Sequence, residues 1–312
     1  MRFFFIVCVS LWLFVSCEGL QNARSEVPPR IAIVLGPANN SWYVRLRQVI
    51  DQATMQHPDI SWTIRNARTA DEQISMLESF KNEQFDAVII MPLDSLRVTP
   101  SAEDIFHAGI PTIILNRRLA SPNYTALVTG DNFGGGAVAA GLMGEILGGE
   151  GNVAILRSSI GSTVDLDRFN GFFETLQTNF PNMRIVGQGD GGLSRETGWS
   201  AMNTLLAEHS NIYAVYAQDD EAALGALVAI KNSGRNDIKY MTGFGGSRAI
   251  LDFLLDEDSI FFASMSHSPA IGATAVEMAV LILEGITVPK DTIISSRVVG
   301  NWNIRDHWEF AY

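Results

Sequence analysis

Five polar clusters in this sequence fall at the ends of expected strands: Asn39-Asn40-Ser41-Trp42-Tyr43, Asn116-Arg117-Arg118, Asp165-Leu166-Asp167-Arg168, Gln218-Asp219-Asp220, and residues 264–267 ending in His267. Their chemistry is that of a polyol site. Indole and phenol rings offer flat apolar faces to the C–H groups of a pyranose or furanose. Asn, Asp and Arg supply directional bonds to hydroxyls, charge-assisted where ionised. A pocket that pairs every hydroxyl is selective, because an unpaired buried partner costs about 1–3 kcal/mol. Each cluster also has a plainer reading. Asn39-Asn40 suits a turn and helix cap, and Asp219 suits a cap too. Trp42 could be core, Arg117 a surface charge, and Asp167-Arg168 a local ion pair. The shared setting at strand ends is what joins them.

Other chemistries find less support. The five histidines (His57, His107, His209, His267, His307) show no metal-ligand spacing such as H-E-x-x-H. There is no G-x-S-x-G elbow and no P-loop. Gly134, Gly135 and Gly136 open a small-residue helix but lack the G-x-G-x-x-G spacing after a first strand, so close helix packing at a lobe junction is expected instead. Asp219-Asp220-Glu221 could suggest a cation site, yet one carboxylate cluster without other ligands favours capping and hydroxyl binding. No enzyme activity, cofactor or metal is expected.

The elements that must position these residues alternate. Residues 212–217 form an apolar run rich in β-branched and aromatic side chains, suited to a strand buried on both faces. It stops at Gln218-Asp219-Asp220, and a helical segment at 221–231 follows. Ligands in open α/β sheets bind at this carboxyl end of a strand. A near copy lies at 87–95, which suggests two similar lobes facing a shared cleft. Further strands are expected at 31–35, 61–67, 86–91, 111–115, 124–128, 152–156, 183–189, 238–243, 260–265 and 293–299. Helices are expected at 42–56, 71–84, 101–108, 132–147, 166–179, 195–208, 247–256 and 269–285. Such alternation predicts an α/β protein with parallel sheets and right-handed crossovers.

The 312 residues leave room for two domains, with 47% hydrophobic and 18% charged residues sufficient for packed cores. A net charge of −12 argues against nucleic acid, whose phosphates would be repelled. The start, Met1-Arg2 followed by an apolar run over 3–15, reads as a signal-peptide core too short to span a bilayer comfortably. Phe14-Val15-Ser16-Cys17 resembles a bacterial lipobox with Phe in place of the usual Leu, implying acylation of Cys17. An ordinary secretory signal is the alternative. The only cysteines are Cys8 and Cys17, both in this leader, so no disulfide framework is expected. Residues 18–29 read as a tether.

With these residues in view, the chain resembles periplasmic sugar-binding proteins of the ribose/galactose type, near ribose- and galactofuranose-binding members. The resemblance rests on Asn39-Asn40-Ser41-Trp42-Tyr43, on Ile114-Leu115-Asn116-Arg117, on the run from Gly161 to Arg168 with Gly171-Phe172, on the run from Val215 to Gly225, and on Pro269 with Gly272. It implies the type I fold: two Rossmann-like lobes with parallel sheets, joined by three hinge crossovers and closing on one sugar. It implies lobes at 30–130 with 268–293 and at 131–267 with 294–312, and ligand contact by Asn40, Trp42, Tyr43, Asn116, Arg117, Arg168, Asp219 and His267. Three departures stand out. Gly245 replaces an expected Asp, His267 an expected Gln, and Leu193 an aromatic residue; ribose binders also place an Arg where Leu166 stands. A ligand bulkier, less polar or differently charged than ribose is therefore expected. The implied role is capture of a sugar by a monomer, anchored to the membrane through lipid, for an ABC permease. A subunit serving a membrane kinase or chemoreceptor stays open as the alternative. A sugar-responsive transcription factor would need an N-terminal DNA-binding motif where the leader stands.

Overall fold

The structure, a computed structural model, describes residues 27–256, 258–308 and 311–312. The expected leader, Cys17 and all but the last three residues of the expected tether lie outside the described residues; residues 27–29 are exposed. The first half of the chain runs Arg30–Leu35 (β1), Ser41–Thr54 (α1), Ser61–Asn66 (β2), Ala70–Glu83 (α2), Ala87–Ile90 (β3), Ser95–His107 (α3), Thr112–Leu115 (β4) and Ala126–Gly130 (β5). The second begins with Asn132–Ile146 (α4), Glu150–Arg157 (β6), Thr163–Asn179 (α5), Asn182–Asp190 (β7), Arg195–Glu208 (α6), Ala214–Ala217 (β8) and Asp220–Ser233 (α7). Tyr240–Gly245 (β9), Arg248–Leu254 (α8), Phe261–Ser266 (β10), Ile271–Leu283 (α9), Asp291–Ile294 (β11), Val298–Val299 (β12) and Ile304–His307 (α10) complete it.

These strands form two six-stranded sheets with the same order, β2-β1-β3-β4-β5-β11 and β7-β6-β8-β9-β10-β12. The continuous apolar runs explain the inner strands. Every residue of β3, β4, β5 and β8 is buried, as a parallel strand covered by helices on both faces requires. The edge strand β2 is half-buried, matching its alternating sequence. In each sheet the order reverses direction beside the first strand, between β1 and β3 and between β6 and β8. Such a switch point leaves a crevice at the strand ends, because successive helices there leave on opposite faces. The chain passes between the sheets three times: after β5, after β10, and between β11 and β12.

The expected glycine-rich packing is present. Gly136 in α4 lies so close to α5 that an added Cβ would sit 2.2 Å from the Arg168 carbonyl, and one on Gly171 would sit 2.0 Å from the Phe133 carbonyl. Three expectations need correction. Helix α3 starts at Ser95 rather than 101, because Asp94 caps it by accepting from the Arg97 amide and Pro100 is carried inside the helix. The single strand expected at 293–299 is two short strands, because the chain changes sheets there. The second of these, β12, runs antiparallel to β10. The short helix α10 was not expected.

Candidate ligand-binding site

Both switch points open onto one cleft of about 440 Å³ between the lobes. All eight residues singled out from the sequence line it: Asn40, Trp42, Tyr43, Asn116, Arg117, Arg168, Asp219 and His267. The lobes are drawn together over it. The Asn40 amide donates to the Leu193 carbonyl (3.5 Å), Ser41 Oγ to Glu221 Oε1 (3.3 Å) and the Arg118 amide to Thr163 Oγ1 (3.0 Å). The Arg118 guanidinium grips the Asp167 carboxylate with two bonds, one of 2.8 Å.

The first lobe supplies rings and a guanidinium. Asn40 caps α1 by accepting from the Tyr43 amide, which fixes the first turn and turns Trp42 and Tyr43 toward the hinge. The Trp42 ring meets Tyr43 edge-on and stacks on His267 at 5.0 Å, while its Nε1 donates to the His267 carbonyl. Arg117 is buried at the end of β4; its terminal nitrogens donate to the Leu93 carbonyl (2.8 Å) and the Tyr43 hydroxyl (3.2 Å). Its Nε is buried with no partner among the described residues. A buried unpaired donor is costly, so this nitrogen calls for an acceptor from outside the chain.

The second lobe sorts its clusters by direction. In the first two turns of α5, Asp165 turns inward and accepts two hydrogen bonds from Arg157, Asp167 reaches across to Arg118, and Arg168 enters the site. Leu166 points outward, 42% exposed. Arg168 lies 3.6 Å over the Phe244 ring, donates from Nε to Asn132 and from a terminal nitrogen to the Gln218 carbonyl. Burial lowers its pKa. Gln218 and Asp220 are spent within their own lobe, Gln218 on the Ser158 amide and Asp220 on Ser247 and Ser264. Asp219 remains. One of its oxygens caps α7 through the Glu221 and Ala222 amides, and burial, followed by the neighbouring Asp220 charge, pushes its pKa up to about 7.

His267 has a different character from the rest. Its Nε2 is 2.9 Å from Asn116 Oδ1, an oxygen that can only accept, so the nitrogen carries the proton. Its Nδ1 is buried against Gly130 without a partner among the described residues, and burial with the Arg168 charge holds the pKa well below the usual value. A neutral imidazole therefore joins Trp42 and Asn116 of the first lobe to the hinge. Asn116 itself has φ 65°, a conformation Asn tolerates, which turns its amide into the cleft.

Eight further residues line the cleft: Ser158, Ser159, Ser162, Val164, Leu193, Phe244, Gly245 and Tyr312. Phe244 is the penultimate residue of β9 and could have been read as a strand-end aromatic. Tyr312 follows the last periodic element and carries no pattern that would reveal it. At Gly245, where the resemblance leads to a carboxylate, an added Cβ would lie 2.5 Å from the Tyr312 hydroxyl. The space freed there is filled, so this departure does not enlarge the cleft.

Comparison with known proteins decides the family. A family model described as a periplasmic binding protein domain matches residues 31–287. The chain belongs to that family. Membership puts this binding protein outside the cytoplasm. It is 28% identical over 293 residues to the ribose import binding protein of Bacillus subtilis (strain 168), covering 91% of this chain and 94% of that one. A fructose-binding periplasmic domain of a hybrid two component system superposes with a TM-score of 0.83 at 27% identity, covering 90% and 93% of the two chains. A solute-binding protein from Bacillus halodurans C-125 with bound myo-inositol superposes with a TM-score of 0.86 at 24% identity over 92% and 99%, a likeness of fold.

Proposed function

We propose that this binding protein captures a sugar or sugar-like polyol and delivers it to an ABC importer. The observation that carries the reading is the unspent polar set in the cleft. Among the described residues the buried Arg117 Nε has no partner and the second oxygen of Asp219 accepts no bond, and both face a space walled by Trp42 and Phe244. Carboxylate, guanidinium and ring faces together match hydroxyls and C–H faces on one small molecule. Asn40, Tyr43, Asn116 and Arg168 complete the proposed contacts, and His267 acts chiefly by holding Trp42 and Asn116. Binding stabilises the closed arrangement because only there do both lobes touch the ligand. Relatives with ribose, fructose and myo-inositol in their names or structures support the ligand class.

The lobes are taken as 30–130 with 268–293 and 131–267 with 294–312, acting as a monomer held to the membrane through an acylated Cys17. The similarity to a two-component sensor domain favours one second reading, in which the closed form docks on a membrane kinase. A permease and ATPase encoded beside this chain would favour import, a kinase sensing.

A thermal-shift screen against D-ribose, D-allose, D-fructose, L-arabinose, xylitol and myo-inositol tests the ligand class. A ligand at a hundred times its dissociation constant adds about 2.7 kcal/mol of stability. Arg117→Met keeps the aliphatic stem and removes the donors, so it is expected to abolish the shift. No shift with any probe would reject the reading.

A further inference from the structure

The cleft has a wall that the proposed contacts do not use. A second, outer cavity of about 1220 Å³ lies behind the hinge, lined by residues of β10, β11 and the crossovers. Gly245 and Tyr312 are the residues common to both cavities. They form the partition between the ligand cleft and the space behind it.

Tyr312 is fixed in this position from two sides. Its backbone carbonyl accepts from the Arg248 amide of the second lobe at 2.9 Å. Its ring packs against the core cluster of the first lobe, which contains Trp42, Tyr43 and Ile271. Its hydroxyl reaches the place a side chain of residue 245 would occupy. A Cβ on Gly245 would stand 2.5 Å from that hydroxyl and 2.7 Å from Asp220 Oδ2, and the backbone there has φ +151°, which L side chains rarely adopt. Glycine at 245 is thus what admits the phenol. The ring is half-buried overall, but its hydroxyl end lies deep enough that burial, then the Asp220 and Asp219 charges, hold the pKa well above the ordinary value. The group is a neutral O–H, and among the described residues it has no hydrogen-bond partner.

We propose that Tyr312 is a specificity-determining residue of this site: its hydroxyl pairs with one ligand hydroxyl, and its ring ends the cleft so that a substituent on that side of the sugar is refused. This rests on the polyol reading above and deepens it. The ligand class becomes an unsubstituted monosaccharide or cyclitol. A ligand oxygen bearing an alkyl or glycosyl group on that side would collide with the ring instead of bonding to it.

The test uses the full chain and its Tyr312→Phe and Tyr312→Ala variants. Titration calorimetry is run with the six probes above, with the methyl glycosides of the four sugars, and with sucrose as an extended probe. Ligand-free melting temperatures of the three proteins serve as the folding check. Tyr312→Phe keeps the packing and is expected to match the wild-type melting temperature while weakening the best monosaccharide about three- to tenfold, the range for one hydrogen bond. Tyr312→Ala is expected to weaken that probe further and to bind at least one substituted probe that the wild type refuses. If Tyr312→Ala melts too low to assay, the Tyr312→Phe loss alone carries the test. A wild type that binds its monosaccharide while both folded variants bind it equally well, with the same refusals, overturns this inference and leaves the polyol reading standing. A wild type that binds none of the probes rejects the polyol reading, and this inference with it.

Discussion

One oxygen of Asp219 caps α7, while the other accepts no bond from the described residues. Asp219→Asn tests the two roles separately. The amide oxygen of Asn caps as well as a carboxylate does, so α7 is kept. The lost charge removes the stronger acceptor, so affinity for a bound polyol should fall about tenfold or more. The same variant reads out the buried charge. The folded carboxyl is held at about 7 against 3.8 for an ordinary one. Between about pH 4 and 7 the folded chain therefore holds more protons than the unfolded chain, and stability drops as pH rises through that window. The ligand-free wild type should lose melting temperature relative to Asp219→Asn from pH 5 to 8; a constant difference would contradict the assignment. Asp219 was legible as a strand-end acceptor. The partners of its neighbours were not. Trp42 and His267 lie 225 positions apart, and local sequence holds no trace of a bond that only the tertiary fold creates.

At the scale of elements, helix α5 shows how packing sets the site. Its second turn places Arg168 in the cleft, and its contact with α4 fixes the height of that turn. Gly136→Ala would drive a methyl to 2.2 Å from the Arg168 carbonyl, which belongs to the backbone and has little room to yield. Overpacking of this kind costs about 1–3 kcal/mol, so the urea midpoint should fall with an unchanged slope. Ligand affinity should fall as well, because the displaced carbonyl carries Arg168 with it. A surface-like loss below about 0.5 kcal/mol would show that the two helices separate freely. Periodicity made most elements readable, since buried strands are unbroken apolar runs and helices repeat near 3.6. Boundaries failed where a cap outweighed the pattern, as Asp94 does for α3, and where two short strands shared one apolar run, as β11 and β12 do.

For the whole molecule the question is what holds the lobes together without ligand. The Arg118–Asp167 pair joins them at the cleft, with side chains 42% and 20% exposed. Partial exposure limits such a pair to about 1 kcal/mol or less, enough to shift an open-to-closed balance several-fold and too little to decide folding. Arg118→Ala should leave the melting temperature of the ligand-free protein within about 2 °C, enlarge its radius of gyration in solution scattering, and speed ligand release. An unchanged radius and release rate would show that the pair is idle. Such cross-lobe pairing was beyond the sequence, which gave both partners as members of separate clusters.

The sheet membership of the last elements also governs how the chain is made. Helix α9 and strand β11 complete the first sheet, and β12 closes the edge of the second, although β1 to β5 are synthesised long before them. A nascent polypeptide released only as far as β10 has neither lobe whole, and the first sheet still exposes the β5 edge where β11 will pair. Neither sheet can therefore gain its last edge strand until the final few dozen residues have left the ribosome.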